Sequence, residues 1–304
     1  YKNIGRHIIT TKIEHQAVLH SCQYLEKNGY TVTYLDTDEY GTVNPEDLKK
    51  AIQPDTILVS IIYANNEIGT IQDIEAMSKI VRSARQNQYG PPFFHTDACQ
   101  AAGYLDINIQ NLGVDLMTIN AGKIYGPKGI GALYIKKGLK ITPLIHGGGQ
   151  EYRMRAGTEN VPEIIGMAEA LKLAVQEKEE EVERITKLRN RLIEKIEKRI
   201  PKTKLNGHRT KRLPNNANFS FEGIEGETIL LRLDMEGICA SSGSACTSGT
   251  VDPSHVLIAI GVAYEMAHGS IRLSLGKWST EQDVDIVVDK LAEIVEDLRQ
   301  VSPL

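Results

Sequence analysis

The sequence predicts an α/β fold in which a mainly parallel central sheet, with helices on both faces, precedes a smaller C-terminal α+β domain. Short β-rich runs alternate with helical patterns over residues 1–140, as in chains of βαβ units. The run TILVSIIYA at 56–64 is apolar throughout, which is typical of a strand covered on both faces. After residue 203 the alternation stops, so a second unit is expected there.

The first half of the chain contains the elements of the predicted sheet. β-rich runs occur at 7–13, 31–36, 56–64, 93–98 and 115–120. Helical patterns occupy 15–29, 44–52 and 74–84. Asn44 is a candidate N-cap, and Gly29 is expected to end the first helix. This order of strand and helix favours parallel pairing.

The second half begins with a long amphipathic helix, predicted from residue 162 to residue 200 and ended by Pro201. The remainder has α+β character, and its closing helix is expected to start with a capping box at Ser279–Gln282. We place the domain boundary inside the long helix, with a large domain over residues 1–177 and a small domain over residues 178–304.

Charge and cysteine content argue against several classes of protein. A net charge of -4 does not suit a nucleic-acid binder, and the basic run at 198–212 is expected to be a solvated loop. The apolar runs are too short to span a membrane. Four cysteines without CxxC spacing indicate a reducing compartment, the cytoplasm or, in a eukaryote, the mitochondrial matrix. No signal peptide or initial methionine is visible, so we expect a fragment.

Polar clusters follow three of the predicted strands. They are NNE at 65–67, DACQ at 97–100 and NAGK at 120–123. Ligands of open α/β sheets gather at the carboxyl edge, where such strands end. Three polar clusters at equivalent strand ends therefore predict one site.

Lys123, in the third cluster, is a candidate for covalent chemistry. A lysine at this edge, beside Asp97 and Asn66, can form a Schiff base with an aldehyde cofactor, and a carboxylate suits a pyridinium nitrogen. This points to pyridoxal 5'-phosphate (PLP). Lys128, in the GPKG turn, is expected to be solvated. A P-loop and a serine hydrolase lack their signatures, GxxxxGK[ST] and GxSxG.

Residues 240–250, ASSGSACTSGT, surround one thiol, that of Cys246, with small residues. Small polar residues give the exposure that a reactive thiolate needs, so Cys246 is predicted to be reactive. Cys239, in apolar GICA, and Cys22, on a helix, are predicted to be buried structural thiols.

These residues, in this order, resemble the class I (NifS/IscS-type) cysteine desulfurases, PLP enzymes of the aspartate-aminotransferase fold type. The resemblance covers essentially the whole chain, and the amino-terminal segment of the family is expected to be missing. The motifs that carry it are EHQAV, NNEIG, DACQ, KIYGPKGIGALY, HGGGQE, MRAGTENVP, SSGSACTS and SIRLSLG.

The resemblance implies how the cofactor ring is held. Lys123 would form the Schiff base and then act as the acid and base that move the substrate proton. Asp97 would pair with the pyridinium nitrogen and keep it protonated. Gln100 and Asn66 would hydrogen-bond the oxygen edge of the ring. His15 would stack on the ring and assist proton transfer.

The resemblance also implies how the cofactor phosphate is held. Asn120 takes the position of a serine that faces the phosphate in relatives. Thr158 would reach the phosphate of the neighbouring subunit, which implies a homodimer. Relatives have a histidine donor before the lysine, where this chain has Gly122. Asn120 is therefore the first candidate to replace that donor.

The substrate implied by the resemblance is L-cysteine. Arg272 would bind its carboxylate, together with Asn66, because a guanidinium suits bidentate contact. Cys246 would attack the substrate sulfur, which releases L-alanine and leaves a persulfide. No stable metal site is implied, although Cys246 could serve as a transient iron–sulfur ligand.

The implied function is a cysteine desulfurase that passes sulfur to an iron–sulfur scaffold or a thiolation acceptor. Two alternatives stay open: a PLP-dependent selenocysteine lyase, and a non-catalytic dimeric scaffold for sulfur-transfer partners. The scaffold alternative rests on Gly122 and the expected absence of the front segment. No direct contact with nucleic acid or a membrane is implied.

Overall fold

The computed structural model describes residues 1–85, 87, 90–243 and 253–301. Its larger sheet consists of β1 (His7–Thr11), β2 (Thr31–Leu35), β3 (Thr56–Ser60), β4 (Phe93–Asp97), β5 (Leu116–Asn120) and β6 (Gly131–Ile135). The helices that alternate with these strands are α1 (Gln16–Lys27), α2 (Pro45–Ala51), α3 (Ile74–Ser83) and α4 (Ile109–Leu112).

The order of the larger sheet is β2-β1-β3-β4-β5-β6. The first five strands are parallel, and β6 pairs antiparallel to β5. The predicted mainly parallel sheet is therefore confirmed. Because β3, β4 and β5 are neighbours and parallel, their carboxyl ends open onto the same edge, where the three polar clusters lie.

The smaller, antiparallel sheet follows a long helix, α5 (Val161–Arg199). Its order is β7-β8-β9, with β7 (Thr203–Asn206), β8 (Asn216–Phe221) and β9 (Ser270–Ser274). The remaining helices are α6 (Gly226–Met235), α7 (His255–Ala259), α8 (Tyr264–His268) and α9 (Glu281–Val301). No helix among the described residues has both the length and the apolar character needed to cross a membrane.

Helix α5 joins the two hydrophobic cores. Met167, near its start, packs in the core of the larger sheet. Leu188 and Ile196, near its end, pack with Phe219 and Leu291 in the core of the smaller sheet. The boundary placed at residue 177 falls between these two contacts, inside an unbroken helix, and remains a prediction.

Two local expectations were wrong. The capping box of α9 is formed by Thr280 and Asp283, whose backbone N–H groups donate to each other's side chains at 2.8 and 3.2 Å. Ser279 instead accepts a hydrogen bond from Gly276 N–H at 2.9 Å. The basic run at 198–212 is not simply a solvated loop, because it contains β7 and ends at Arg212, which is buried.

Candidate active site at the carboxyl edge of the larger sheet

A cavity of about 210 Å³ lies where the carboxyl edge of the larger sheet meets the smaller domain. Asn66, Gln100 and Lys123 line it from the larger sheet, and Arg272 lines it from β9. These four residues come from four separate motifs, so the fold brings distant parts of the sequence to one place. Their chemical roles remain predictions.

Lys123 is presented by a firmly anchored turn. It ends a 3₁₀ turn, Ala121–Lys123, that follows β5 directly. Ala121 and Ile124 are buried, whereas Lys123 is exposed beside the cavity. Tyr125 has a φ of 62°, in the left-handed region that bulky residues rarely adopt. Its hydroxyl accepts a hydrogen bond from Lys277 N–H at 2.8 Å, so the smaller domain helps to hold the turn.

Asp97 is the last residue of β4, which lies next to β5, the strand that leads into Lys123. Its Oδ1 accepts a hydrogen bond from Cys99 N–H at 2.9 Å. Two residues earlier, the ring nitrogens of His95 hydrogen-bond with Ser60 Oγ at 2.8 Å and Thr118 Oγ1 at 2.9 Å. His95 thus fixes β4 to both neighbouring strands. Asp97 is not among the described residues that line the 210 Å³ cavity.

The charges of Asp97 and Lys123 both act on Cys99. Burial, and then Asp97, raise the pKa of the Cys99 thiol, while Lys123 opposes the shift. The carboxylate and the amine therefore lie within electrostatic reach of one half-buried side chain. Gln100, the next residue, turns toward the cavity.

Arg272 and Asn66 are joined across the two domains. Arg272 Nη1–H donates to Asn66 O at 2.8 Å, and Nη2–H donates to Ser241 Oγ at 3.2 Å. Asn66 Oδ1 is buried and has no hydrogen-bond partner within the described structure. A buried polar atom left in this way costs about 1–3 kcal/mol. A ligand that supplied a donor at this atom would remove that cost.

His15 is held at the start of α1. It is the N-cap residue, and its Nδ1 accepts a hydrogen bond from Ala17 N–H at 3.2 Å. Burial raises the pKa of the Glu67 carboxyl, and His15 is one of the positive groups that oppose this shift. His15 therefore lies on the Glu67 side of the site and does not line the 210 Å³ cavity as described.

Asn120 and Thr158, the predicted phosphate contacts, have different surroundings. Asn120 ends β5, and its Oδ1 lies 3.2 Å from the point that a Cβ atom on Gly122 would occupy. Thr158 is exposed, in the segment between β6 and α5. It does not line the cavity in the described part of the chain.

The cysteines match the predictions only in part. Cys246 lies outside the described residues, so its reactivity remains a prediction. Cys22 is buried as predicted, and burial raises its pKa to about 11. Cys239 is exposed, so the prediction that it is buried was wrong. Its neighbours Ile238 and Ala240 pack against the small-domain core, whereas the Cys239 side chain faces solvent.

Two residues of the site were missed from the sequence. Glu67 lies within the quoted NNEIG motif and is 1% exposed, yet only Asn66 was given a role. Tyr104 lines the cavity and contacts Tyr125, but no local pattern marks it. The described residues hold no group of three His, Cys, Asp or Glu side chains placed to bind a metal ion.

Comparison with known proteins identifies the family. The sequence matches the Aminotransferase class-V family over residues 2–287. Cysteine desulfurase IscS from Dictyoglomus turgidum is 56% identical over 299 residues, which cover 98% of this chain and 74% of that protein. The protein of the same name from Methanosarcina thermophila is 55% identical over 300 residues, 99% of this chain and 72% of that protein. This chain belongs to the IscS cysteine desulfurases.

Solved structures agree with this assignment of the desulfurase fold. A NifS-like protein has a TM-score of 0.88 at 40% identity, over 97% of this chain and 76% of that chain. A NifS-like protein from Rickettsia africae has a TM-score of 0.85 at 34% identity, over 96% of this chain and 76% of that chain. The desulfurase is thus a PLP-dependent enzyme, and of the three functions open from the sequence the comparisons support cysteine desulfurase.

The residues of the desulfurase site suit PLP. Lys123 offers an amine beside the cavity, and Asn66 offers a buried oxygen that accepts no hydrogen bond from any described residue. Asp97 offers a carboxylate at the end of the neighbouring strand. An amine for covalent attachment, polar groups for the ring edge and an anion for the ring nitrogen are what PLP requires.

Proposed function

We propose that this desulfurase uses Lys123 and Cys246 as its reacting groups and passes sulfur from L-cysteine to an iron–sulfur scaffold or a thiolation acceptor. The convergence of Lys123, Gln100, Asn66 and Arg272 on one cavity is the observation that carries the proposal. It combines an amine, two amides and a guanidinium, which together suit a PLP ring and the carboxylate of an amino acid.

Five residues would hold the cofactor. Lys123 would bind PLP covalently, Asp97 would face its ring nitrogen, and Asn66 and Gln100 would face its oxygen edge. Asn120 would donate to its phosphate. When bound, PLP supplies an electron sink next to the substrate amino group.

Arg272 would bind the substrate carboxylate. Its guanidinium is fixed by Asn66 O and by Ser241 Oγ, so it is oriented before any substrate arrives. A charge-assisted hydrogen bond to a carboxylate is roughly twice as strong as a neutral one. This contact would place the substrate Cα beside Lys123 and leave the substrate sulfur open to attack by the Cys246 thiolate.

The chain's own groups then move one proton and one sulfur atom. The Lys123 amine would move the proton at the substrate Cα, with His15 as a second proton carrier. The Cys246 thiolate would attack the substrate sulfur, so that an S–S bond forms as the C–S bond breaks. One L-cysteine and one thiol give one L-alanine and one persulfide, with no external oxidant.

Rates of alanine release test these assignments. With L-cysteine and a reducing thiol, the PLP-loaded wild type should release L-alanine and sulfide in equal amounts. Lys123→Ala should abolish release, and Cys246→Ser should abolish it while PLP stays bound. Equal rates for wild type and Cys246→Ser would contradict the role of Cys246, and activity in Lys123→Ala would contradict that of Lys123.

We also infer that the working enzyme is a homodimer in which Thr158 reaches the site of the partner. Thr158 is exposed, and the segment around it carries exposed apolar side chains, which often mark an interface. They are Leu144 at 95%, Tyr152 at 91%, Ile165 at 63% and Val161 at 54% exposure. A second copy on this face would cover them and supply Thr158 to a neighbouring phosphate.

Subunit mixing tests the dimer directly. Lys123→Ala and Thr158→Ala proteins, each weakly active or inactive alone, are unfolded together and refolded as a mixture. A mixed dimer contains one site with both native residues, so activity should reappear. No recovery in a mixture shown to contain mixed dimers would contradict the role of Thr158.

The thiols favour a reducing compartment, and we propose the cytoplasm. Cys22, Cys99 and Cys239 are free within the described residues. Free thiols persist where glutathione and thioredoxin keep them reduced. Of the three described cysteines, exposed Cys239 is the one that an oxidising compartment would modify first.

A further inference from the structure

The chain on either side of residues 244–252 converges on one buried carboxyl group. A Cβ atom on Gly243 would lie 2.8 Å from Ser254 Cβ and 3.0 Å from Glu67 Oε2. The Ser254 hydroxyl donates a hydrogen bond to Glu67 Oε2. Gly243 before this segment and Ser254 after it therefore meet over Glu67, with no room for a side chain at 243.

The chain just before this segment is joined to Arg272. Ser241 N–H donates to Arg272 O at 3.1 Å, and Arg272 N–H donates to Ser241 O at 2.6 Å. The guanidinium adds its contact to Ser241 Oγ and donates to Asn66 O. Since Asn66 precedes Glu67, a continuous series of contacts runs from Ser241 through Arg272, Asn66 and Glu67 to Ser254.

Glu67 itself is firmly held. Its carbonyl oxygen accepts hydrogen bonds from Asn216 Nδ2 at 3.0 Å and from Asn218 Nδ2 at 3.2 Å, both on β8. Its N–H donates to Asn65 Oδ1 at 2.8 Å. The backbone of Glu67 is thus fixed from both domains, and only its carboxyl group is left to engage Ser254.

The residue after Ser254 has its own anchor. His255 Nε2 hydrogen-bonds with Glu14 O at 3.0 Å, and its Nδ1 lies 3.3 Å from Gln16 Nε2. Ser254 and His255 therefore both fix the chain that follows residue 252, through Glu67 after β3 and Glu14 after β1. Burial raises the pKa of the Glu67 carboxyl, and the hydrogen bond from Ser254 is the largest opposing effect.

We propose that Glu67 is a positioning residue for sulfur transfer: its carboxyl group holds Ser254, which follows the cysteine segment, close to Asn66, whose carbonyl oxygen orients Arg272. This inference rests on the proposed roles of Cys246 and Arg272. Holding the two ends of a loop together limits the volume that its residues can search. A thiol on such a loop meets the substrate sulfur more often than one on a loop free at one end.

Single-turnover measurements on the PLP-loaded protein test the proposal. Glu67→Ala and Ser254→Ala should each slow persulfide formation on Cys246 by about tenfold to a hundredfold, since a misplacement of about 1 Å can cost this much. KM for L-cysteine and the visible spectrum of bound PLP should change little. Glu67→Gln keeps an acceptor oxygen for Ser254 and should restore most of the rate.

The two positions should act as one unit. The double variant Glu67→Ala/Ser254→Ala should be no slower than the slower single variant, because both remove the same contact. Ser254 also caps α7 by accepting from Val256 N–H at 3.1 Å, so the loss of a cap needs a control. Asn108→Ala removes the comparable cap of α4, where Asn108 Oδ1 accepts from Gln110 N–H at 2.9 Å. It should lower stability without slowing transfer.

Only the variants that fold are used to judge the positioning role of Glu67. Multiplied rate losses in the double variant, or a wild-type transfer rate in Ser254→Ala, would overturn the positioning role even if Glu67→Ala does not fold. Cys246→Ser separates this from the proposed function. If Cys246→Ser still makes alanine at the wild-type rate, the assignment of Cys246 as the nucleophile is wrong. If Cys246→Ser loses alanine release while Ser254→Ala transfers sulfur at the wild-type rate, only the role of Glu67 is contradicted.

Discussion

The Oδ1 atom of Asn120 lies 3.2 Å from the point that a Cβ atom on Gly122 would occupy. That separation is shorter than ordinary van der Waals contact, so a side chain at 122 would displace the Asn120 amide. The missing side chain of Gly122 therefore leaves space for the Asn120 amide next to Lys123. This geometry supports the proposal that Asn120 replaces the phosphate donor that the family resemblance implies at position 122.

Removing the Asn120 amide should weaken cofactor binding. A hydrogen bond to a charged group contributes about 1.5–3 kcal/mol, so Asn120→Ala should raise the dissociation constant of PLP about tenfold to a hundredfold. Fluorescence titration of the apoprotein with PLP measures this constant. Wild-type affinity in Asn120→Ala would show that Asn120 is not the donor.

Residues 120 and 122 can also be substituted together. Gly122→His alone should crowd Asn120 and weaken PLP binding, whereas Gly122→His with Asn120→Ser should recover it. The double variant makes room for the histidine and introduces both residues that the family resemblance implies at these positions. If Gly122→His binds PLP as tightly as the double variant, the two positions are independent.

Glu14 should make stability depend on pH. It is 0% exposed, its Oε1 accepts from Ile62 N–H at 2.7 Å and Thr11 Oγ1–H at 2.9 Å, and burial raises its pKa from 4.5 to about 8. Between these values the native state holds a proton that the unfolded chain has released. Its contribution to the free energy of unfolding is thus full below 4.5 and is lost as pH rises through about 8.

Glu14→Gln should remove this dependence. Urea unfolding from about pH 5 to about pH 9 should show the wild type losing stability with a steeper slope than Glu14→Gln. Glu39→Gln, at an exposed position, is the matched control and should keep the wild-type slope. Parallel curves for wild type and Glu14→Gln would contradict the raised pKa.

Arg212 should make a large contribution to the free energy of unfolding, because it bonds residues of both domains. It is 3% exposed, and it donates to Ile68 O at 3.0 Å, Asn206 O at 3.3 Å and Asn216 O at 3.1 Å. Arg212→Met would leave these buried carbonyl oxygens without their donor, at about 1–3 kcal/mol for each unsatisfied group. The free energy of unfolding should therefore fall by about 3 kcal/mol or more.

Arg209→Ala is the matched control for Arg212. Arg209 lies three residues earlier and forms an exposed ion pair with Glu197 at 2.6 Å. Surface pairs of this kind contribute about 0–1 kcal/mol. Denaturant unfolding should thus separate the two variants clearly, and similar losses for both would contradict the importance of the buried contacts.

The regular fold could be predicted because its signals are local. Strands β4 and β5 begin and end within two residues of the predicted runs, and Asn44 caps α2 by accepting from Glu46 N–H at 3.0 Å. The carboxyl-edge site followed from strand order alone, since polar residues after parallel neighbours must meet.

The rest depended on contacts between distant residues. Glu67 gained its partner Ser254 from a segment 187 positions away, and no local pattern encodes that pairing. The apolar neighbours of Cys239 suggested that its side chain is buried. Which side chains of a short segment are buried depends on the elements that pack against it, and here Ile238 and Ala240 are covered but Cys239 is not. Thr158 is exposed and does not line the cavity of the single chain as described, so its predicted role is assigned to the site of a second copy.

The most direct test of the central claim is the mass of the peptide that carries Cys246 after a single turnover with L-cysteine. In the PLP-loaded wild type this peptide should gain one sulfur atom as one L-alanine is released, and in Lys123→Ala it should gain none. Sulfur found on exposed Cys239 instead, or an equal gain in Lys123→Ala, would contradict the assignment of Lys123 and Cys246 as the reacting pair.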